Sequence, residues 1–330
     1  MYRAVLACLC FFLASPSEEP RAGALVDFVR DFAFTEANSV DRLPYSEAVV
    51  AALRAAISGG DTPAAFRRER VIDGGKTFLL VYSPDIAGAP IVIFAEDPDR
   101  DIVLEAPHPV KDRATGLQAV HLLIALGARA AIISGNNRCA ASTSSPCSGK
   151  TRICGGGRQP YPSSDPAHDT QSLFHQAHVA LSERWPQALV VQFHGYAQAD
   201  SDTLVILSDG TRERRSPDNA LTGKIRDRIR VSLGGAAAAV SCQDPHDRRF
   251  AYRPLCARTT VQGRHLNGSA NHCRLDATSS SGRFLHIEQQ YRVRKAIAED
   301  PLTALDAEGY GAVFRALAAE SRCLKPRCAF

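Results

Sequence analysis

Short runs rich in β-branched and other apolar residues alternate with segments of helical periodicity along most of the chain. Strands are expected at 77–82, 91–94, 102–104, 129–133, 188–193, 203–207, 236–240 and 284–288, where such runs are bounded by turn residues. Helices are expected at 43–57, 115–126, about 168–185, 218–233, about 290–298 and 301 to about 321. This alternation predicts an α/β fold, specifically a three-layer α/β/α sandwich around a mainly parallel or mixed sheet.

Two segments show no period and are expected to be loops. Residues 139–166 are rich in Ser, Gly, Pro and Cys, and residues 244–271 are also loop-like. A loop as long as the first is usually functional or disordered. Because neither repeats nor a domain linker are visible, residues 21–330 are expected to form a single domain.

The N-terminus has the pattern of an export signal. Arg3 precedes eleven apolar residues, 4–14, and then Ser15 and Pro16. This run is too short to span a bilayer. Residues 1–20 are therefore expected to be a signal peptide and linker, and the protein to be secreted or periplasmic. Residues 5–8 resemble a lipoprotein signal, which leaves soluble or lipid-anchored export open; a cytosolic protein with an apolar N-terminal helix is the alternative.

The cysteine content agrees with an oxidising compartment. Of ten cysteines, Cys8 and Cys10 lie in the expected signal, so eight remain and can form up to four disulfides. Cys323 and Cys328 are close enough in sequence to pair locally. A zinc–thiolate site is disfavoured because no CxxC pair occurs. The net charge of +4 is too small to indicate a nucleic-acid partner.

Reactive side chains follow three of the predicted strands. They are Glu105, His108 and Asp112 after the first, His194 with Gly195 after the second, and His286 with Glu288 at the third. The carboxyl ends of strands in an open α/β sheet are where reactive groups gather. Two histidines and a carboxylate from such ends can form an open zinc site that activates water, with a further Glu as general base. The alternative is that these histidines only cap strand ends.

Four short motifs also occur in a fixed order, and the order resembles a known family. The motifs are Ala106-Pro107-His108-Pro109, then Asn137-Arg138, then the apolar strand 190–195 ending in His-Gly, then Ile287-Glu288. Over about residues 77–300 they are similar to the N-formylglutamate amidohydrolase family and its relatives near the zinc carboxypeptidases.

The resemblance implies roles for individual residues. His108 and His194 would bind one zinc ion with Asp112 as the acidic ligand. Glu105 is the alternative acidic ligand. Carboxypeptidases place a Glu three residues after the first His, where this chain has Lys111, and this departure leaves the choice between Asp112 and Glu105 open. The general base would be Glu288. Arg138 would bind a substrate carboxylate through a bidentate fork, with Asn137 beside it.

These expectations combine into one predicted activity. The chain is expected to be an exported zinc-dependent hydrolase that cleaves an amide or peptide bond in a small-molecule or peptide substrate with a carboxylate group. N-acyl amino acids, peptide C-termini and cell-wall peptides are the substrate classes considered. Iron or manganese also suits the ligands. The alternative function is a non-catalytic exported binding protein that holds an acidic ligand in the same cleft. Three further residues have structural interpretations: Asp165 is expected to be a helix N-cap, and His175 and His178 are expected to be packing or surface residues.

Overall fold

The computed structural model describes residues 23–35, 45–60, 63–197, 202–213, 220–247 and 254–326. The predicted signal peptide, Cys8, Cys10 and Cys328 lie outside these residues, so export by that signal and the pairing of Cys323 with Cys328 stay predictions. Among the described helices, none has the length and apolar character needed to cross a bilayer.

Eleven strands and eight α-helices are described. The strands are β1 (Arg67–Asp73), β2 (Lys76–Tyr82), β3 (Ile91–Ala95), β4 (Ile102–Ala106), β5 (Ala130–Ile133), β6 (Lys150–Thr151), β7 (Gln159–Pro160), β8 (Leu189–Tyr196), β9 (Val205–Ser208), β10 (Ala239–Ser241) and β11 (Phe284–Gln290). The helices are α1 (Ala24–Thr35), α2 (Glu47–Ser58), α3 (Thr115–Leu126), α4 (Leu173–Arg184), α5 (Leu221–Ser232), α6 (Val261–Leu266), α7 (Tyr291–Glu299) and α8 (Glu308–Glu320). A 3₁₀ turn, Ala304–Asp306, precedes α8.

Nine of the strands form one mixed sheet in the order β1-β2-β3-β5-β4-β8-β11-β9-β10. The four central strands β5, β4, β8 and β11 are parallel, whereas β1, β2 and β3 pair antiparallel and β9 lies antiparallel to β11. Parallel central strands are buried on both faces, which explains their continuous apolar runs. The predicted mainly parallel or mixed sheet is confirmed.

Each face of the sheet is covered by helices. Successive side chains of a strand point to opposite faces. Leu104 and Val191 therefore pack with α1, α3, α5, α7 and α8, and Val103 and Val190 pack with α2 and α4 and with Leu266 of α6. This arrangement is the predicted three-layer α/β/α sandwich. The face covered by α2, α4 and α6 is called the second face below. The polar residues at the ends of β4, β8 and β11 point to this face, beside α4 and α6.

Several local predictions are corrected by the structure. Helix α4 begins at Leu173, where the Ser172 side chain accepts a hydrogen bond from the His175 amide, so the interpretation of Asp165 as its N-cap is wrong. Helix α6 lies within the segment 244–271 that was expected to be loop. Strand β8 continues through Gly195 to Tyr196. Helix α1 and strand β1 were not predicted.

Three disulfides tie down the loops around the second face. They join Cys139 to Cys154, Cys147 to Cys273, and Cys242 to Cys256. The first two hold the segment 139–166, which contains only the short β6–β7 ladder as regular structure. These six cysteines are therefore not ligands of a zinc–thiolate site.

Candidate metal centre

Strand register brings His194, His286 and Glu288 together. In the parallel pairing of β8 with β11, His194 lies opposite Glu288 and Gln192 lies opposite His286. All four side chains are buried on the second face of the sheet. The sequence placed His194 and Glu288 at strand ends; the pairing of the strands makes them neighbours.

The loop after β4 delivers His108 and Asp112 to the same place. It turns tightly, with the Asp112 amide donating to the His108 carbonyl at 2.8 Å, and Ala114 has a φ of 70°, in the left-handed region. Asp112 Oδ2 lies 3.3 Å from His108 Nδ1 and 3.2 Å from His194 Nδ1. Ligand atoms of these three residues all lie within 4.8 Å of one another.

Asp165 joins this group, although its sequence position gave no sign of it. One of its oxygens lies 2.8 Å from His108 Nε2 and 2.9 Å from His168 Nδ1, and the other accepts hydrogen bonds from Arg138 Nη2 at 2.7 Å and Nε at 3.1 Å. Burial alone would raise the pKa of Asp165, but the positive charge of Arg138, then of His168 and His108, holds it well below its ordinary value. Asp165 therefore stays ionised and orients His108.

Glu288 and His286 carry buried polar atoms that lack partners among the described residues. Glu288 Oε2 and His286 Nδ1 have no hydrogen bond, and Glu288 Oε1 lies 3.7 Å from His286 Nε2. Burial, and then the negative charge of Asp112, raises the pKa of Glu288 to about 8. A carboxyl with that pKa exchanges a proton readily near neutral pH.

A cavity of about 490 Å³ opens onto this cluster. Its wall includes His168, His194, His286, Glu288, Tyr161, Arg138, Lys150, Arg152 and Arg158. The last three are exposed cations, whereas Arg138 is 8% exposed and held by Asp165. The cavity thus combines a buried set of imidazoles and carboxylates with a basic rim.

Asn137 is placed differently from Arg138. Its side-chain oxygen accepts a hydrogen bond from the Cys139 amide at 3.1 Å, and it is not among the residues that line the cavity. In this position Asn137 shapes the turn that presents Arg138, and a substrate contact by Asn137 stays a prediction.

Glu105, the alternative acidic ligand, lies in a separate network. It is 2.6 Å from His178 Nδ1 and accepts a hydrogen bond from Gln192 Nε2 at 3.0 Å. Asp112 rather than Glu105 lies beside His108 and His194. His178, which was interpreted as a packing or surface residue, is buried and hydrogen-bonded.

Position 195 has no room for a side chain, because the guanidinium of Arg294 lies against its backbone. A Cβ at Gly195 would lie 2.1 Å from Arg294 Nη2, and Arg294 is itself buried and bonded to the Arg113 and Gln289 carbonyls. The group that approaches this backbone is therefore the guanidinium of Arg294 on α7.

The cluster fits a divalent metal ion by the chemistry and spacing of its ligand atoms. His108 Nε2 faces the ionised Asp165, and His194 Nε2 faces Gln192 Oε1 at 2.9 Å, so both Nε2 atoms are donors. In the neutral rings each Nδ1 then has its lone pair on the side of Asp112 Oδ2. Two imidazole nitrogens and a carboxylate oxygen that lie within 4.8 Å of one another form a donor set that suits zinc.

Comparisons with known proteins give distant structural likenesses. No family model matches the chain. No curated protein matches it. Among solved structures, a bacteriophage poly-gamma-glutamate hydrolase is 15% identical, with 71% of this chain and 90% of that chain covered and a TM-score of 0.38. A metallo-carboxypeptidase from Burkholderia cenocepacia is 13% identical (84% and 69% covered, TM-score 0.36), and a succinylglutamate desuccinylase from Vibrio parahaemolyticus is 11% identical (82% of both, TM-score 0.38). A metallo-carboxypeptidase, the kind of protein that the motif order resembles, is thus among the structures found.

Proposed function

We propose that this protein is a zinc-dependent hydrolase that cleaves an amide or peptide bond, with one catalytic ion held by His108, Asp112 and His194. The observation that carries the proposal is the convergence of two imidazole nitrogens and a carboxylate oxygen within 4.8 Å, beside a cavity that His194 lines. A zinc ion in such a shell supplies Lewis acidity and lowers the pKa of bound water to near neutrality.

Glu288 is proposed as the general base and later the general acid. Its side chain lines the cavity, and one of its oxygens has no partner among the described residues. It can take a proton from the attacking water and return it to the leaving nitrogen. Asp165 and Gln192 keep the rings of His108 and His194 in place while this happens.

The basic rim supports a substrate that carries a carboxylate. Lys150, Arg152 and Arg158 surround the entrance, and the buried Arg138 lies further in. Because Arg138 Nε and Nη2 are engaged by Asp165, its role is to place positive charge at a fixed position, and the exposed cations attract the anion. N-acyl amino acids, peptide C-termini and cell-wall peptides fit this requirement.

Export to a secreted or periplasmic location is part of the proposal. It is supported by the three disulfides, since such bonds persist in oxidising compartments and are rare in the cytosol.

The metal assignment is tested by the His108→Ala substitution. We expect the variant to lose one zinc ion per chain relative to the wild type, measured by inductively coupled plasma mass spectrometry after dialysis, because one of three ligands is removed. His246→Ala, at an exposed histidine, is the matched control and should retain the wild-type content. Wild-type metal content in His108→Ala would refute the proposed centre.

The role of Glu288 is tested by Glu288→Gln, which keeps the size of the side chain but removes its proton exchange. We expect unchanged zinc content and a fall in kcat of roughly 10²–10⁴-fold on N-acyl amino acids, as for loss of general acid–base catalysis. Full activity would exclude Glu288 as the base. A wild-type protein that binds zinc but turns over no member of a broad acyl-amino-acid and peptide panel would favour the non-catalytic binding protein instead.

A further inference from the structure

Four histidines form a second cluster on the same face of the sheet. His175 and His178 lie one turn apart on α4, His265 lies on α6, and His272 lies in the loop that follows α6. Ring centroids are 4.8 Å apart for His265 and His272, 5.9 Å for His175 and His265, and 6.4 Å for His175 and His272. Three imidazoles around one tetrahedral ion with Zn–N bonds of about 2.0 Å have centroids roughly 5 Å apart. The observed triangle is close to that size.

A carboxylate fixes the orientation of one ring of this cluster. Glu105 lies 2.6 Å from His178 Nδ1, and His178 Nε2 lies 3.2 Å from His265 Nδ1. If the carboxylate accepts from His178, then His178 Nε2 accepts from His265 Nδ1, and His265 Nε2 is left with its lone pair. Carboxylate–histidine pairs of this kind orient ligands in metal sites.

His175 supplies an observation that packing does not explain. Its side chain is buried, with 3% exposure, and its Nδ1 has no hydrogen-bond partner in the described part of the chain. Burial lowers the pKa of His175 well below 6.5, and neighbouring imidazoles lower it further, so the ring is neutral and carries a lone pair. A buried polar atom without a partner is costly unless something binds it.

The loop that carries His272 is held firmly against α6. Arg264 donates to the His272 carbonyl at 3.3 Å and to the Cys273 carbonyl at 3.0 Å, and Cys273 is bonded to Cys147. The backbone is thus fixed while the half-buried rings of His265 and His272 can rotate about their side-chain bonds. An ion bound here would be reached by rotation of these rings.

We propose that His175, His265 and His272 form a second binding site for a divalent transition metal ion of the zinc class, oriented through His178 and Glu105. This site is separate from the candidate metal centre, since Glu105 and Gln192 lie between the two clusters. An all-imidazole shell leaves a coordination position for water or for an incoming ligand. The inference does not depend on the proposed hydrolase activity.

The test counts ions on the full chain after chelation and dialysis, with Zn²⁺ and Co²⁺ as probes. We expect two ions for the wild type and for His246→Ala, one for His272→Ala, one for His108→Ala and none for the double variant His108→Ala/His272→Ala. If His272→Ala and His265→Gln both keep the wild-type count, the second site is wrong while the first can stand. If His108→Ala keeps the wild-type count while His272→Ala loses one ion, the first site is wrong and the second stands.

A second measurement avoids any dependence on how the variants fold. Diethyl pyrocarbonate modifies imidazole nitrogens that are free, so bound Zn²⁺ should slow the modification of His265 and His272 at least tenfold in the wild-type chain. Peptide mapping reports each histidine separately, and the exposed His246 serves as the internal control. Equal modification rates at His272 with and without Zn²⁺ would overturn the proposal.

Discussion

At the scale of single residues, the orientation of His194 is set from inside the sheet. Its Nε2 faces Gln192 Oε1 at 2.9 Å, and the amide nitrogen of Gln192 donates to Glu105 at 3.0 Å, which fixes the direction of the amide. Glu105 in turn contacts His178. One buried chain of hydrogen bonds therefore runs from the candidate metal centre to the second histidine cluster, and Gln192 is its midpoint.

Replacing Gln192 by Leu should weaken zinc binding at the candidate metal centre by about 10–100-fold, the usual effect of losing a group that orients a ligand. The reason is that His194 loses the acceptor that keeps Nε2 protonated and Nδ1 free. Competition with a chromophoric chelator measures the affinity. Gln171→Ala, at an exposed glutamine, is the control. Unchanged affinity in Gln192→Leu would show that the amide does not position His194.

Some residues of the candidate site could be read from the sequence and others could not. His108, His194 and Glu288 follow apolar runs that are strands, so their meeting at one edge follows from the topology. Asp165 could not be found this way, because it contacts His108 across 57 residues through an irregular loop. The second histidine cluster joins α4 to residues about 90 positions later, which no local pattern encodes.

At the scale of elements, the strands and long helices were predictable because their apolar residues recur at the period of the structure. Strand β1 was not predicted because it is an edge strand whose residues are mostly exposed and charged. Helix α6 was not predicted because it is only six residues long. Helix α1 had a visible signal in Leu25, Val26 and Val29, which are buried at helical spacing. The start of α4 was misplaced because Asp165 has the chemistry of an N-cap but binds other partners.

Helix α6 is tied to the following loop by an ion pair whose pH dependence can be predicted. Asp276 contacts Arg264 and Arg212, each at 2.7 Å. Burial raises the pKa of Asp276, but hydrogen bonds from Arg264 and Arg212 outweigh it, so the pKa lies below 3.8. Since the folded-state pKa is lowered, the carboxylate stabilises the fold above about pH 4, and this contribution disappears as the pH falls further.

Asp276→Asn should therefore lower the free energy of unfolding by about 1–2 kcal/mol at pH 7. The effect is no larger because solvent screens the partly exposed ion pairs of Asp276. The difference from the wild type should shrink below pH 4. Urea unfolding at several pH values between 3 and 7 measures it, and Asp306→Asn, at a carboxyl for which no ion pair is seen in the described ranges, is the control. A difference that stays constant with pH would contradict the ion-pair account.

At the scale of the whole molecule, the described disulfides enclose loops of very different length. Cys147 and Cys273 are 126 residues apart, whereas Cys139 and Cys154 are 15 apart. Loop-closure entropy predicts that the free energy of unfolding falls by roughly 4–5 kcal/mol when Cys147 and Cys273 are replaced by serines. The same replacement of Cys139 and Cys154 should lower it by about 3 kcal/mol. Urea unfolding of the two double variants gives the comparison, and a larger loss for the short loop would show that local packing dominates.

Strand order also dictates when the site can come into existence as the chain is made. Strand β11 fills the gap between β8 and β9 and supplies His286 and Glu288, yet it is the last strand in sequence. A nascent chain that has not reached residue 284 therefore lacks His286 and Glu288 and leaves the edges of β8 and β9 open, and such edges invite pairing with other chains. Synthesis of this strand therefore joins β9 to the central strands and completes the candidate site in a single event.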